Sequence, residues 1–206
     1  MHTAWRCPRC GAPVRQLSDE RFWCWADGAV AAVAEIEEPT VSVLLRHVAD
    51  TAFPTWLPWP LPAQWSVSGV ARAGHPQVQA TVLACTAPDP LGGLADVLIV
   101  CEEAGVGLGA RYAGARGLDV GREISGSPAT TTLPVDGHTT PLWWISGGPD
   151  RDVYVGEASG CWLWLVAWPA SAGALISQDL ALVDLHDLLG QLEIVPLGGL
   201  SARLAD

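Results

Sequence analysis

The sequence predicts an α+β protein in which a small N-terminal zinc-ribbon-like module precedes a mostly antiparallel, β-rich domain with a few short helices. Three observations predict this class: paired cysteines confined to the first 28 residues, short apolar segments between Gly, Pro, Asp and Ser clusters, and one segment with helical periodicity. A chain of 206 residues has room for one medium-sized domain and an appendage. We therefore divide it into a ribbon-like module (1–28), a connector (29–39) and a β-rich domain (40–206).

The N-terminal module is predicted from the spacing of its cysteines. Cys7-Pro8-Arg9-Cys10-Gly11 has the form of a metal-binding turn, and Cys24-Trp25-Ala26-Asp27-Gly28 follows it as a second turn. Zinc takes four tetrahedral ligands, which two such turns supply in pairs. The predicted ligands of a structural Zn²⁺ are Cys7, Cys10, Cys24 and Asp27, with His2 as a substitute fourth ligand. The alternative is a knuckle that packs without metal, because a carboxylate is a rarer ligand in structural zinc sites.

The β-rich domain is predicted to open with a short amphipathic helix. Thr40 is a favourable N-cap, and the apolar residues that follow it at helical spacing are Val41, Leu44, Leu45 and Val48. The helix is expected to end before Phe53-Pro54. Residues 53–65 then carry four prolines and three tryptophans, which predicts extended chain near the surface.

Short strands separated by turn residues are predicted for most of the remaining chain. Their ranges are 66–71, 79–85, 96–102, 142–146, 152–155, 161–168, 179–185 and 191–196. Residues 117–140 are rich in Gly, Ser and Thr without periodicity, which predicts a surface loop. In the segment 161–168 both alternating faces are apolar, so this strand is expected to be covered on both sides.

Eleven tryptophans are the most unusual feature of the composition. Burial in the core is the simplest interpretation, since each indole removes a large apolar area from water. The alternative is an exposed recognition cluster, and the proline-rich segment is its best candidate. Trp56, Trp59 and Trp65 are therefore the predicted contacts for a protein partner.

A glycine-rich segment follows the predicted strand 96–102 and offers an alternative site. Its glycines at 105, 107 and 109 match a dinucleotide-binding fingerprint only nominally, because carboxylates stand where a pyrophosphate would bind. We interpret it as a turn that allows close backbone approach. The alternative function is a small enzyme or small-molecule-binding protein whose pocket is lined by Glu102, Glu103, Arg111 and Tyr112.

The net charge of −11 is unevenly distributed. Residues 1–28 hold four arginines against three acids, a balance of +1, whereas the remainder holds seven arginines against nineteen acids, a balance of −12. An acidic body argues against nucleic-acid binding, since phosphates require cations. A weaker hypothesis is that the ribbon alone contacts nucleic acid through Arg6, Arg9 and Arg21.

Cytoplasmic localisation is expected from the absence of a recognisable secretory signal and of a long apolar run. The longest such run, 161–168, is far shorter than the roughly 20 residues that span a bilayer. A reducing compartment also suits the three cysteines outside the knuckle, which lie in apolar stretches. Cys85, Cys101 and Cys161 are predicted to be buried thiols without disulfides.

Several strings of residues resemble an uncharacterised actinobacterial protein family. They are Cys7–Gly11, the Trp-Leu-Pro-Trp-Pro-Leu-Pro run at 56–62, the glycine-rich segment 105–114, Pro141-Leu142-Trp143 and Gly160-Cys-Trp-Leu-Trp-Leu165. The resemblance covers nearly the whole chain and implies no established activity. It also implies a Cys-x-x-His-Gly second knuckle, from which this chain departs at Asp27. From the one metal-type site, the lack of a recognisable catalytic constellation and the Pro/Trp segment, we expect a non-enzymatic cytoplasmic interaction or scaffold module with a structural metal knuckle.

Overall fold

The computed structural model describes residues 5–115, 117–118, 120–176 and 180–205. A three-stranded antiparallel sheet lies near the N-terminus, with β1 (Arg15–Ser18), β2 (Arg21–Cys24) and β3 (Gly28–Val30) adjacent in chain order. The strand β3 extends beyond residue 28, where the sequence placed the end of the module. We call residues 5–30, which hold the cysteine turns and these three strands, the ribbon.

The rest of the described chain forms one larger sheet with short helices around it, which we call the sheet domain. Its strands are β4 (Trp56–Pro58), β5 (Ser66–Ala73), β6 (Ala80–Pro88), β7 (Leu94–Glu102), β8 (Thr131–Val135), β9 (His138–Ile145), β10 (Asp152–Ala158), β11 (Cys161–Trp168) and β12 (Leu182–Asp184). The helices are α1 (Val41–Asp50), α2 (Leu108–Ala113), α3 (Gly121–Ile124), α4 (Gly173–Ile176) and α5 (Ala202–Ala205), and Ala170–Ala172 and Leu185–Ile194 are 3₁₀ segments. The predicted α+β class, with a mostly antiparallel β-rich domain, is confirmed.

The nine strands of the larger sheet lie in the order β4-β12-β8-β9-β10-β11-β7-β6-β5. Every neighbouring pair is antiparallel except β8 and β12, which are parallel. The sheet curls so far that the edge strand β4 contacts β6 and β7 from its other half. The hydroxyl of Thr81 on β6 donates to the carbonyl oxygen of Pro54, just ahead of β4.

Local sequence signals account for several of these elements. The Thr40 side chain accepts a hydrogen bond from the Val43 amide at 3.2 Å, so it caps α1 as predicted. The strand β11 has the predicted bounds. Ser159 and Gly160 both have positive φ and connect β10 to β11 in a two-residue turn, which is the geometry that suits a hairpin.

Other segments differ from the prediction. Residues 191–196 were predicted as a strand, but Leu185–Ile194 forms a 3₁₀ segment whose leucines at 185, 188 and 192 are buried. Residues 117–140 were predicted as a loop, but they include α3, β8 and the first part of β9. Within 117–140 the buried residues, such as Leu133 and Val135, are spread among polar residues, which hides their periodicity. The predicted strand 179–185 is realised as β12, and residue 179 lies outside the described residues.

Both faces of the larger sheet are buried. Along β11, Leu163 and Leu165 pack into the cluster that contains α1 and the 3₁₀ segment, and Trp164 and Val166 pack into the cluster that contains α2. The expectation that both faces of this strand are covered is therefore confirmed. Among the helices of the described residues, none combines the length and apolar character needed to cross a lipid bilayer.

The ribbon is joined to the larger sheet by backbone hydrogen bonds. Arg6 and Val33 exchange bonds at 2.9 and 2.8 Å, Val33 forms a bridge with Ala73 on β5, and the Gly74 amide donates to the Ala32 carbonyl at 2.9 Å. This continuous ladder places the cysteine turns beside the loop that precedes α2.

Candidate metal centre

The three cysteines of the N-terminal knuckle and Asp27 come together in one cluster. Their ligand atoms all lie within 4.8 Å of one another. Cys7 and Cys10 occupy a turn closed by the Gly11 amide, which donates to the Cys7 carbonyl at 3.0 Å. Cys24 ends β2, and Asp27 precedes Gly28, whose positive φ turns the chain into β3. The spacing of the sequence thus produces two opposed turns.

The distances within the cluster approach those of a tetrahedral site. The sulfur atoms of Cys10 and Cys24 are 3.5 Å apart, and Asp27 Oδ2 lies 3.3 Å from Cys7 Sγ and 3.4 Å from Cys24 Sγ. Zinc–sulfur bonds of about 2.3 Å in a tetrahedron would separate two sulfur atoms by about 3.8 Å. A small outward movement of the side chains therefore admits an ion of this size.

The environment of the cluster opposes unpaired negative charge on some thiols and favours it on others. Burial raises the pKa of the Cys7 thiol to about 12. The hydrogen bond to Asp27 raises the pKa of Cys10. For Cys24, burial acts in the opposite direction, but the backbone amides of Asp27 and Ala26 lower the pKa. Hydrogen bonds from the thiols, with that of Cys10 strongest, lower the pKa of Asp27.

These shifts fit a site whose charges a cation would balance. Cys7 and Cys24 are 0% and 1% exposed, whereas Cys10 is exposed at the surface. Three thiolates and a carboxylate in a half-buried cluster repel one another, so a divalent cation stabilises them together. The donor set of three sulfur atoms and one oxygen suits a borderline-soft ion such as zinc more than calcium or magnesium, which prefer oxygen alone. The cluster can therefore hold a metal ion.

Arg9 connects the first cysteine turn to the sheet domain. Its guanidinium donates to the carbonyl oxygens of Gly105 at 2.8 Å and Val106 at 3.2 Å, and also to the Asp27 carbonyl at 3.4 Å. Gly107 follows with a φ of 89°, and a Cβ added there would lie 2.9 Å from Arg9 Cγ. The glycine-rich turn thus allows close approach, as the sequence indicated, and the groups that approach it are Leu118 and, from the first cysteine turn, Arg9.

The other predicted arginines have different surroundings. Arg6 donates to the Gly11 carbonyl at 3.1 Å and so supports the first turn, while Arg21 is exposed on β2. His2, the substitute fourth ligand, lies outside the described residues. Asp27 is the fourth member of the described cluster.

Trp56 and Trp65 belong to the core of the sheet domain. They are 2% and 5% exposed, and Trp59 is partly buried against the same cluster. Within the proline-rich segment, Trp56–Pro58 is buried and pairs with β12, a strand from much later in the chain, whereas residues 59–64 are partly buried or exposed. This is the core interpretation that the sequence left open for the tryptophans. A partner could reach Trp56 and Trp65 only if the segment moved.

The residues of the alternative pocket support the fold, and two of them are in contact, since the Arg111 guanidinium lies 4.5 Å from the centroid of the Tyr112 ring. Glu102 is 2% exposed and accepts the Leu108 amide at 2.7 Å, and burial raises the pKa of its carboxyl to about 7. Tyr112 donates to the Leu204 carbonyl at 3.1 Å, and Arg111 donates to the Cys7 carbonyl at 3.4 Å. Glu103 accepts from the Gln79 side chain at 3.0 Å. These hydrogen bonds of the four side chains go to four different residues.

Sequence reasoning missed an exposed apolar surface on the ribbon. We call it the ribbon face, and its residues are Pro13, Arg15, Leu17, Trp23 and Trp25, which line a groove of about 540 Å³. Leu17 is 48% exposed, Trp23 43% and Trp25 96%. The signal was present in β2, where Phe22 and Cys24 alternate with Arg21 and Trp23, so that one pair must face outward.

The fold and the cluster define a class: an α+β protein whose N-terminal ribbon carries a cysteine–aspartate cluster able to hold a metal ion. The model of one protein family, described as a family of unknown function (DUF6758), matches residues 1–204, and the chain belongs to this family. The resemblance to an uncharacterised family is thereby confirmed. No match was found among the curated proteins or among the solved structures.

Proposed function

We propose that this chain is a non-enzymatic cytoplasmic interaction or scaffold module whose ribbon is held in shape by a structural Zn²⁺ ion. Cys7, Cys10, Cys24 and Asp27 would be its ligands. The observation that carries the proposal is that these four groups converge within 4.8 Å in the ribbon, where the ligand Cys24 lies on the opposite face of β2 from the exposed Trp23. The metal would fix the ribbon, and the ribbon would present the contact surface.

A metal is the natural stabiliser of a segment with so little apolar interior. Within the ribbon, Phe22 is 3% exposed, but its neighbours Arg21 and Trp23 on β2 are exposed and all four residues of β1 are exposed. Structural zinc supplies the folding energy that such small units lack. Three reduced thiols within bonding reach of one ion also suit a reducing compartment, which supports the cytoplasmic assignment.

Two observations support the interaction function: the buried contacts of the alternative-pocket residues and the exposed side chains of the ribbon face. Among the groups of the alternative pocket, Glu102, Arg111 and Tyr112 are engaged by backbone atoms of the fold, which favours a structural role for them over catalysis. The ribbon face, in contrast, leaves large apolar side chains in water. Exposed apolar clusters of this kind commonly mark interaction sites. The contact residues that we propose are therefore Trp23 and Trp25, with Trp56, Trp59 and Trp65 acting mainly in the core.

Metal analysis of the purified full-length chain tests the proposal. We expect one zinc per chain, loss of bound zinc in Cys24→Ser, and retention in the control Asp19→Ala, which removes an exposed acid from the turn between β1 and β2. A photoreactive side chain at position 25 should crosslink a partner in cells, whereas one at Leu91, which is 84% exposed elsewhere, should not. A zinc-free protein with an unchanged melting temperature in Cys24→Ser would overturn the structural role of the metal.

A further inference from the structure

Exposed indoles lie beside two unpaired arginines on the ribbon, Arg15 in the ribbon face and Arg21 next to it. Arg15 lies opposite Trp23 in the register of β1 and β2, and Arg21 lies on β2 beside it. Both arginine side chains are exposed, and neither forms an ion pair or hydrogen bond with any residue that the structure describes. This arrangement places two free cations beside an apolar groove.

Most of the other arginines that the structure describes have a partner, although the exposed Arg122 does not. Arg46 pairs with Glu37 at 2.6 Å, Arg72 with Asp50 at 2.9 Å, and Arg151 with Asp150 at 2.7 Å. The chain has twice as many acids as arginines, so intramolecular carboxylates are abundant. Arginines left unpaired beside exposed indoles in such a chain are complementary to carboxylates from another molecule.

The shape of the ribbon indicates how such a molecule could bind. The strand β1 pairs with β2. The backbone that leads into β1 is also paired, because the Val14 amide donates to the Trp5 carbonyl at 3.1 Å and Pro13 forms a bridge with Arg6. All four side chains of β1 are exposed. A partner segment can therefore gain specificity from the exposed side chains of the ribbon face and the groove between them.

We propose that the ribbon face binds an extended acidic segment of a partner protein. An apolar side chain of that segment packs between Leu17 and the indoles of Trp23 and Trp25, and flanking carboxylates pair with Arg15 and Arg21. The inference rests on the proposed interaction function and names its partner by chemistry. The groove of about 540 Å³ has room for a large side chain.

Nucleic acid fits the same surface less well. Indoles and arginines also bind single strands, but such sites track a long backbone with a continuous positive groove. Residues 1–28 have a balance of only +1, and the rest of the chain has a balance of −12, which repels a polyanion that extends beyond the ribbon. A peptide that lies along a single strand contacts the ribbon alone.

Selection from a random peptide display library on the zinc-loaded full chain tests the proposal. We expect enrichment of sequences in which an aromatic or aliphatic residue is flanked by Asp or Glu. The double variant Arg15→Glu/Arg21→Glu should reverse the preference to Lys and Arg. Trp25→Ala should weaken the best selected peptide about tenfold or more, as for a central interface residue. The control Leu91→Ala should leave its affinity unchanged.

Zinc content separates this inference from the function on which it rests. Trp25 is 96% exposed, so Trp25→Ala should leave zinc binding intact. If Trp25→Ala loses zinc, the peptide preference of Arg15→Glu/Arg21→Glu tests the acidic-segment inference instead. Stoichiometric zinc with no acidic enrichment, or with enrichment of basic peptides, would overturn the acidic-segment inference alone. Tight binding of single-stranded oligothymidylate that is lost in the charge-reversed variant would overturn it in favour of nucleic acid. Absence of zinc would instead overturn the proposed function.

Discussion

The ribbon and the sheet domain reach a defined structure by different means. The sheet domain buries apolar side chains on both faces of a nine-stranded sheet, with residues such as Trp164 and Leu165 at 0% and 2% exposure. The ribbon has three short strands and a cluster of polar ligands where a core would be. Packing therefore specifies the larger region, and under our proposal metal coordination specifies the smaller one. Each region should respond to perturbations that leave the other unaffected.

The largest effect is expected from Gly109→Ala in the sheet domain. A Cβ at this position would overlap the indole of Trp164, which is fully buried. Overpacking of a rigid core costs about 1–3 kcal/mol, and we expect the upper end of that range because the indole has no free space to enter. Urea unfolding should show the loss of stability. Gly190→Ala is the matched control, because a Cβ there meets nothing within 4 Å and neither Gly190 nor Gly109 has a φ in the left-handed region.

Zinc affinity should remain unchanged in Gly109→Ala if the two regions are independent. A large drop in zinc affinity would show that the ribbon depends on the packing of α2, and the contrast between the regions would then fail.

Substitution of Asp27 perturbs the ribbon in the complementary way. Asp27→Ala removes one proposed ligand and should weaken zinc binding by at least about tenfold. Even the loss of a residue that only hydrogen-bonds to a metal ligand lowers metal affinity by that much. Asp27→His restores a stronger ligand and should tighten binding relative to the native chain. Competition with a chromophoric chelator measures both affinities, and Asp19→Ala is the matched control. Equal affinities for all variants would place Asp27 outside the coordination sphere.

Arg9 tests how strongly the two regions are coupled. Its removal deletes the hydrogen bonds to the carbonyl oxygens of Gly105 and Val106, which should cost about 1–2 kcal/mol. The exposed Arg21, also on the ribbon, is the control, and Arg21→Ala should change stability little. Hydrogen exchange of residues 105–108 reports the loss locally. An unchanged exchange rate there would mean that the backbone pairing at Ala32 and Val33 and the Arg111–Cys7 hydrogen bond hold the ribbon in place without Arg9.

The smallest effect is expected from a histidine in the sheet domain. His186 bonds through Nδ1 to the Asp184 carboxylate at 2.7 Å and through Nε2 to the Thr51 carbonyl at 2.6 Å, and both partners are acceptors. Both ring nitrogens can donate only when the imidazole is protonated. Burial alone would lower the pKa of His186, but these hydrogen bonds outweigh it and raise the pKa.

The sign of the pH dependence follows from this upward shift. The stabilisation by His186 is fully present below the unfolded pKa and is lost as pH rises through the higher folded pKa. It should amount to less than about 1 kcal/mol, because the pair is partly exposed and solvent screens it. Unfolding of the native chain and of His186→Gln across neutral pH measures the difference. A stability gap that grows with rising pH would contradict the assignment.

Local patterns in the sequence were sufficient for some of these features. The Thr40 cap and the alternation along Cys161–Trp168 concern neighbouring residues, so they predicted α1 and β11 correctly. The cysteine turns were also local, and the structure brings all four of the predicted ligands together.

Other features depend on contacts between residues that are distant in the chain, and these could not be predicted from the sequence. The strand around Trp56 is inside because β12 pairs with it, and no property of the proline-rich segment itself indicates that partner. Likewise, Arg9 was considered as a phosphate contact, but its carbonyl partners at Gly105 and Val106 lie 96 and 97 residues away. The exposure of Trp23 on the ribbon face follows from the alternation of exposed and buried residues along β2. The two faces of β2 can be assigned once Cys24 is known to point inward.

Hydrogen exchange before and after removal of metal tests the central contrast most directly. In the zinc-loaded chain, amides of β1, β2 and β3 should be protected, and a chelator should abolish their protection while β6, β7 and β11 remain protected. Readdition of zinc should restore the original pattern. Ribbon protection that survives complete metal removal, or loss of protection throughout the chain at once, would contradict the account.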